Sequence, residues 1–135
     1  MIKIDHLGIA VADLQKAVEA FEALGFKVER TLDVPSEKVR TAFLPIGESH
    51  LELLEPTDPQ SVIARFLEKR SGLHHVCFLV PDLEASLASL KARGVELIDS
   101  APRIGAGGCR VAFLHPRAAG GVLVELKEES RKPGV

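Results

Sequence analysis

Thiol chemistry has little to work with in this chain. Two cysteines, Cys77 and Cys109, are too few for a disulfide framework or a thiolate zinc cage. Both read as small packed residues rather than ligands or nucleophiles. Charge of one sign is also missing. The 17 Lys and Arg against 19 Asp and Glu leave a net charge of −2. They form neither the basic stripe of a nucleic-acid binder nor the polybasic segment drawn to an anionic membrane. No run approaches the ~20 apolar residues of a membrane span. Met1-Ile2-Lys3-Ile4-Asp5 enters a strand pattern without a signal-peptide pattern. The expected compartment is the cytoplasm, and neither nucleic acid nor membrane is an expected partner. What is present is an apolar fraction of 46%, enough to bury a core within one domain over residues 1–135.

The chain is written twice. Ile4-Asp5-His6-Leu7-Gly8-Ile9-Ala10-Val11 is answered by Leu73-His74-His75-Val76-Cys77-Phe78-Leu79-Val80, and Ala12-Asp13-Leu14 by Pro81-Asp82-Leu83. Arg40-Thr41-Ala42-Phe43-Leu44 matches Arg110-Val111-Ala112-Phe113-Leu114, and Leu51-Glu52-Leu53 matches Val124-Glu125-Leu126. Periodicity gives strand, helix and three strands in each half, so the modules are βαβββ over 2–56 and 73–128. In the first, a strand over 2–11 precedes a helix with Leu14, Val18, Phe21 and Leu24 on one face, stopped by Gly25. Strands follow over Phe26–Leu32, Val39–Pro45 and Ser49–Glu55, with turns at 33–36 and 46–49. In the second, Leu73–Val80, a helix over Leu83–Ala92, Val95–Asp99, Arg110–His115 and Val122–Lys127 repeat the order. A helix over about 59–70 connects the modules, and the charged tail 128–135 is expected to fray.

Strand parity assigns the faces, because side chains alternate along a strand. Val122, Val124 and Leu126 form an apolar row, which leaves Glu125 on the opposite side; Glu52 takes the same side in its own module. His6 shares a face with Gly8 and Ala10, and His75 with Cys77, small neighbours that leave room around an imidazole. A fold of class α+β, two βαβββ modules forming a half-open barrel of about eight strands, would then carry a central metal site. Strand packing favours Val or Ile at such positions, so His and Glu at matching places in both copies point to ligands: His6, Glu52, His75 and Glu125. Two imidazoles and two carboxylates suit a divalent ion, cobalt foremost, with nickel, manganese or zinc as alternatives. His50, His74 and His115 lack support from the repeat and stay outside the ligand set. Glu55 and Glu128 also match between the copies, but their parity is outward, where a solvated face explains them.

These stretches, with Leu51-Glu52-Leu53-Leu54-Glu55-Pro56 and Gly105-Ala106-Gly107-Gly108 through His115-Pro116 to Glu125-Leu126, make the chain resemble the vicinal oxygen chelate (glyoxalase) superfamily. Within that superfamily it resembles the methylmalonyl-CoA epimerases, over nearly its whole length. The resemblance implies an isomerase that interconverts (R)- and (S)-methylmalonyl-CoA by metal-assisted α-proton transfer through an enolate. It further implies an acyl-CoA substrate, a homodimer and a place in propionate metabolism. Such epimerases carry a proposed catalytic Glu where this chain has Ser36, in Val34-Pro35-Ser36-Glu37-Lys38-Val39. Glu37, one position on, is therefore the candidate base, beside the ligand carboxylates Glu52 and Glu125. Gly105–Gly108 neither follows a strand nor opens a helix, so it reads as a hairpin connection rather than a phosphate cradle. Arg103, Arg110 and Arg117 are open to CoA phosphates or to solvent. A glyoxalase I-like lactoylglutathione lyase and a non-catalytic drug-binding protein of the same fold are the alternatives. An extradiol dioxygenase needs only two His and one carboxylate on Fe(II), and a longer chain.

Overall fold

The computed structural model describes residues 2–129, so most of the tail expected to fray, residues 130–135, lies outside the described residues. In chain order the elements are β1 (Lys3–Ala10), α1 (Leu14–Ala23), β2 (Arg30–Val34), β3 (Val39–Ile46), β4 (Ser49–Pro56), α2 (Val62–Leu67), β5 (Gly72–Val80), α3 (Leu83–Ala92), β6 (Arg103–Ile104), β7 (Arg110–Leu114) and β8 (Leu123–Glu128). Two short 3-10 turns, Ala106–Gly108 and Pro116–Ala119, complete them. They form two compact units, residues 6–74 and the residues before 6 with those from 75 on.

In the 6–74 unit the strand order is β2-β3-β4-β1. Here β4 runs antiparallel to β3 and parallel to β1. The other unit repeats this as β6-β7-β8-β5, with β5 and β8 parallel. The last strand of each module thus returns beside its first. Alternation then gives each sheet two faces. Ala42, Leu44, Leu51 and Leu53 pack with Leu14, Val18 and Phe21 under α1; Ala112, Leu114, Val124 and Leu126 pack with Leu83 and Leu87 under α3. On the opposite face of the first unit, Ala10, Val39 and Leu54 meet Ile63 and Phe66 of α2. Full burial of each large apolar side chain is worth about 1.5–3 kcal/mol, which is why the apolar parity, rather than local propensity, fixes the faces.

Both long helices start under the same pair of carboxylates. Asp13 holds an extended backbone and accepts from Lys16 N at 3.1 Å, while Glu55 Oε2 accepts from Leu14 N at 2.7 Å. Asp82 accepts from Ala85 N at 3.0 Å, and Glu128 Oε2 from Leu83 N at 2.9 Å. The first N–H groups of a helix have no partner within it, and a carboxylate also suits the positive end of its dipole. Glu55 and Glu128 are therefore not explained by a solvated face, contrary to the sequence expectation. Their side chains keep 22% and 16% of their exposure because a helix terminus covers them. Gly25 (φ 101°) and Gly94 (φ 77°) follow the helices in a conformation that costs little only for glycine.

Two strand assignments shift. Residues 26–29 are not strand: Phe26 N bonds back to Phe21 O to close the helix, and Phe26 and Val28 are spent on the core, so β2 begins at Arg30. Residues 95–99 make only an isolated bridge, Leu97 with Leu114. Asp99 Oδ2 takes the Phe113 N–H at 2.8 Å, a bond that a regular ladder would give to a backbone carbonyl. The edge strand is β6 instead, and β2 continues to Val34 before the turn at 35–38.

Candidate metal centre

One histidine and one glutamate meet in each unit, and they meet in the same way. In the first, Gly8 of β1 pairs with Glu52 of β4. His6, two residues before Gly8, brings Nδ1 to 3.2 Å from Glu52 Oε2. In the second, Cys77 of β5 pairs with Glu125 of β8, and His75, again two residues earlier, brings Nε2 to 3.7 Å from Glu125 Oε1. Parallel pairing of first and last strands produces this: the parity that carries His and Glu on both strands lies on the face away from the long helix. Side-chain exposure is 7% and 18% for His6 and Glu52, and 12% and 14% for His75 and Glu125. These polar pairs are thus mostly out of water, where polar groups need partners.

The chemistry of each pair suits a divalent ion. Donors at about 2.0–2.2 Å from one ion lie about 2.8–3.6 Å apart at octahedral or tetrahedral angles, so the 3.2 Å of the first pair falls inside that range and the 3.7 Å of the second lies just beyond it. Imidazole with carboxylate suits borderline and hard divalent ions better than copper(I) or an iron–sulfur cluster. Cys77 is buried and Cys109 half-buried, and neither forms a disulfide.

His50 belongs to the first pair's surroundings although the repeat gives no reason to select it. Its Nε2 lies 2.8 Å from Glu52 Oε2, and its ring stacks on His6 with centroids 5.0 Å apart. The available signal was parity: two residues from Glu52 on β4, it shares that face. His74 packs edge-on against Phe66, and His115 accepts from Arg117 N to start a 3-10 turn, so both have local partners elsewhere.

Glu37 is exposed in the 35–38 turn, with Ser36 beside it. The turn closes with Glu37 N bonded to Val34 O, and Lys38 at φ 56°. Val39, after the turn, lies four positions along β3 from Phe43, which pairs with Glu52. That is about 13 Å along a strand, so register alone does not bring Glu37 to Glu52. The three arginines considered for phosphate contacts each meet a carboxylate: Arg103 with Asp99 at 3.2 Å, Arg110 with Glu128 at 3.1 Å and with Glu84, and Arg117 with Glu96 at 3.0 Å. Glu96 is held below its ordinary range, chiefly by the Arg117 hydrogen bond. Gly105 has a packing reason to be glycine, since a Cβ there would lie 2.8 Å from Val111 Cγ2.

Residues 5–113 match the model of the Glyoxalase/Bleomycin resistance protein/Dioxygenase superfamily, and the chain belongs to that family. Among its relatives, ethylmalonyl-CoA/methylmalonyl-CoA epimerase of Cereibacter sphaeroides is 39% identical, covering 93% of this chain and 97% of that protein. The mitochondrial methylmalonyl-CoA epimerase of Homo sapiens is 38% identical, covering 93% of this chain and 73% of that protein. A solved methylmalonyl-CoA epimerase in complex with methylmalonyl-CoA and NH4+ superposes with a TM-score of 0.85 at 39% identity, covering 96% of each chain. The fold is accordingly that of the glyoxalase superfamily. No described helix is long and apolar enough to cross a membrane.

Proposed function

We propose that this chain is an isomerase that epimerises methylmalonyl-CoA, using a divalent metal held by His6, Glu52, His75 and Glu125. The observation that carries the reading is a His–Glu pair at the same strand register in each module, in a chain with epimerase relatives along nearly its full length. The substrate's reacting carbon lies between a thioester and a carboxylate, so the barrier is the negative charge left when its proton departs. When bound, the ion would supply a Lewis acid that offsets this charge; a preorganised countercharge is commonly the largest catalytic contribution.

The chain's own residues handle the proton. Inversion requires removal on one face and delivery on the other, hence two groups, and the candidates are Glu52, Glu125 and Glu37. One of the two would be a metal-bound carboxylate that can dissociate, Glu125 or Glu52, and the other Glu37. Glu37 stands one residue from the position where epimerases carry their base, and the serine there, Ser36, cannot take a proton unaided. A turn bending back over the sheet would be needed for Glu37 to act. Burial of the His–Glu pairs serves the reaction by keeping competing water from the developing charge.

The finer parts of the reading are cobalt as the preferred ion, a homodimer, a cytoplasmic location and a role in propionate metabolism. The first rests on the mixed imidazole and carboxylate donors, the second on sheet edges that an isolated chain would leave open. The deciding experiment couples metal analysis to deuterium exchange at the α-carbon of methylmalonyl-CoA. Stoichiometric metal with metal-dependent exchange supports the proposal. Exchange that persists at full rate after chelation, or isomerisation of a hemithioacetal instead, refutes it.

A further inference from the structure

The two modules differ in the strand partner of the ligand-candidate histidine. His50 pairs across the strands with His6, whereas the equivalent partner of His75 is Leu123. The module with the extra histidine also has the closer ligand pair, 3.2 Å against 3.7 Å. His50 Nε2 and His6 Nδ1 both address the same atom, Glu52 Oε2. Beyond His50 the face continues as a row of planar groups: the Phe43 ring lies 5.6 Å from His50, tilted by 43°, and the Arg30 guanidinium sits 4.5 Å over Phe43. Arg30, Phe43, His50 and His6 thus form a row across β2, β3, β4 and β1, ending on a ligand.

We propose that His50 is a positioning residue for the metal centre: its Nε2–H donates to Glu52 Oε2, and its ring, braced by Phe43, holds the His6 imidazole in ligand orientation. The inference rests on the metal reading above. A carboxylate has about four lone-pair sites, so one donor bond from His50 still leaves Glu52 able to ligate. A carboxylate held beforehand by this donor loses less side-chain entropy when an ion binds. Groups that orient ligands in this way typically change metal affinity 10–100-fold when removed. The second module lacks the device, so the half-site of residues 6–74 should be the more preorganised of the two.

The test is Co2+ binding to the full chain, measured by competition with a chromogenic chelator, together with the visible spectrum of the cobalt form. The proteins are wild type, His50→Leu, His50→Gln and His6→Ala. His50→Leu installs the residue that the second module already carries, and His50→Gln retains a side-chain donor. His50→Leu should weaken Co2+ binding about 10–100-fold with the cobalt bands unchanged, and His50→Gln should recover most of that loss. Wild-type affinity in His50→Leu overturns the inference, as does a change in the cobalt bands, which would make His50 a ligand. His6→Ala separates the two levels: if it binds as tightly as wild type, or wild type binds no Co2+, the metal reading fails and this inference with it. If His6→Ala is weak while His50→Leu is not, only the role of His50 fails. Should His50→Leu not fold, His50→Ala takes its place: a folded His50→Ala that binds Co2+ as tightly as wild type overturns the inference, and one weakened about 10–100-fold with the cobalt bands unchanged supports it.

Discussion

Removing Glu128 should reveal how the strands that carry the ligands are held in place. Its Oε2 accepts the Leu83 N–H at 2.9 Å at the start of α3, and its side chain is only 16% exposed. Glu128→Ala leaves that N–H covered without an acceptor. A hydrogen bond to a charged group contributes about 1.5–3 kcal/mol, and loss of a helix cap typically costs ~1 kcal/mol with an upper range near 2. The expected destabilisation is therefore about 2 kcal/mol, a large part of a total that is commonly about 5–15 kcal/mol. Glu55→Ala, which removes the 2.7 Å bond to Leu14 N, should cost a similar amount. Glu128→Ala should be the worse of the two, because Arg110 lies 3.1 Å from Glu128 while Arg40 lies 3.9 Å from Glu55. Glutamine keeps an acceptor but loses the charge, so both Gln variants should fall between wild type and Ala. Urea unfolding followed by circular dichroism measures this, and with an m-value of about 1–3 kcal/mol per M the midpoint should drop by roughly 1 M. If both Ala variants lie within about 0.5 kcal/mol of wild type, the range of ordinary surface changes, the capping argument is wrong.

His75→Ala should abolish stoichiometric metal binding by elemental analysis while leaving the circular dichroism spectrum of the fold; full occupancy would mean the ligands are misassigned. Glu37→Gln should slow turnover on the order of 10²–10⁴-fold with metal content unchanged, as loss of a general base does; wild-type exchange from both epimers would make Glu37 a surface residue. Light scattering at micromolar concentration should give twice the chain mass of 14.6 kDa, and a clean monomer would refute the dimer. Gly105→Ala should lower the melting temperature, because its Cβ would meet Val111 Cγ2 at 2.8 Å; an unchanged melting curve would show that Val111 moves aside freely.

Much of this was readable in the residues for a specific reason. Duplication supplies an internal comparison, so a polar residue on a strand can be tested against its counterpart. His6 with His75 and Glu52 with Glu125 pass that test, and parity then gives their face. The same comparison discarded His50, whose counterpart is Leu123, because a residue that serves one module leaves no echo in the other. It also marked Glu55 and Glu128 as matched without saying why. Their outward parity suggested water, and only the three-dimensional path of the helices turns that side into the cover over a helix start. The strand boundaries failed where side chains replace backbone partners: at Asp99, whose carboxylate takes a strand N–H, and at Phe26, which β propensity assigns to a strand and the core takes into a helix ending.

The matched glutamates connect the two halves of the problem. Glu52 and Glu55 lie three residues apart on β4, as do Glu125 and Glu128 on β8, so parity sends one of each pair to the metal face and the other to the helix. A slip of one residue in either strand would reverse both assignments at once. It would bury a carboxylate in the apolar layer and strip a helix terminus of its cap. The cap therefore fixes the register on which the proposed ligand depends, which is a physical reason for a Leu-Glu-Leu-Leu-Glu run in one module to be answered by Val-Glu-Leu-Lys-Glu in the other. In the first, Leu54 also shares the Glu52 face and joins Ala10, Val39 and Ile63 beneath α2; in the second the equivalent residue is Lys127, which pairs with Asp5 at 3.5 Å. The repeat is thus strict where a ligand and its register are concerned and relaxed one residue away, where each module meets different neighbours.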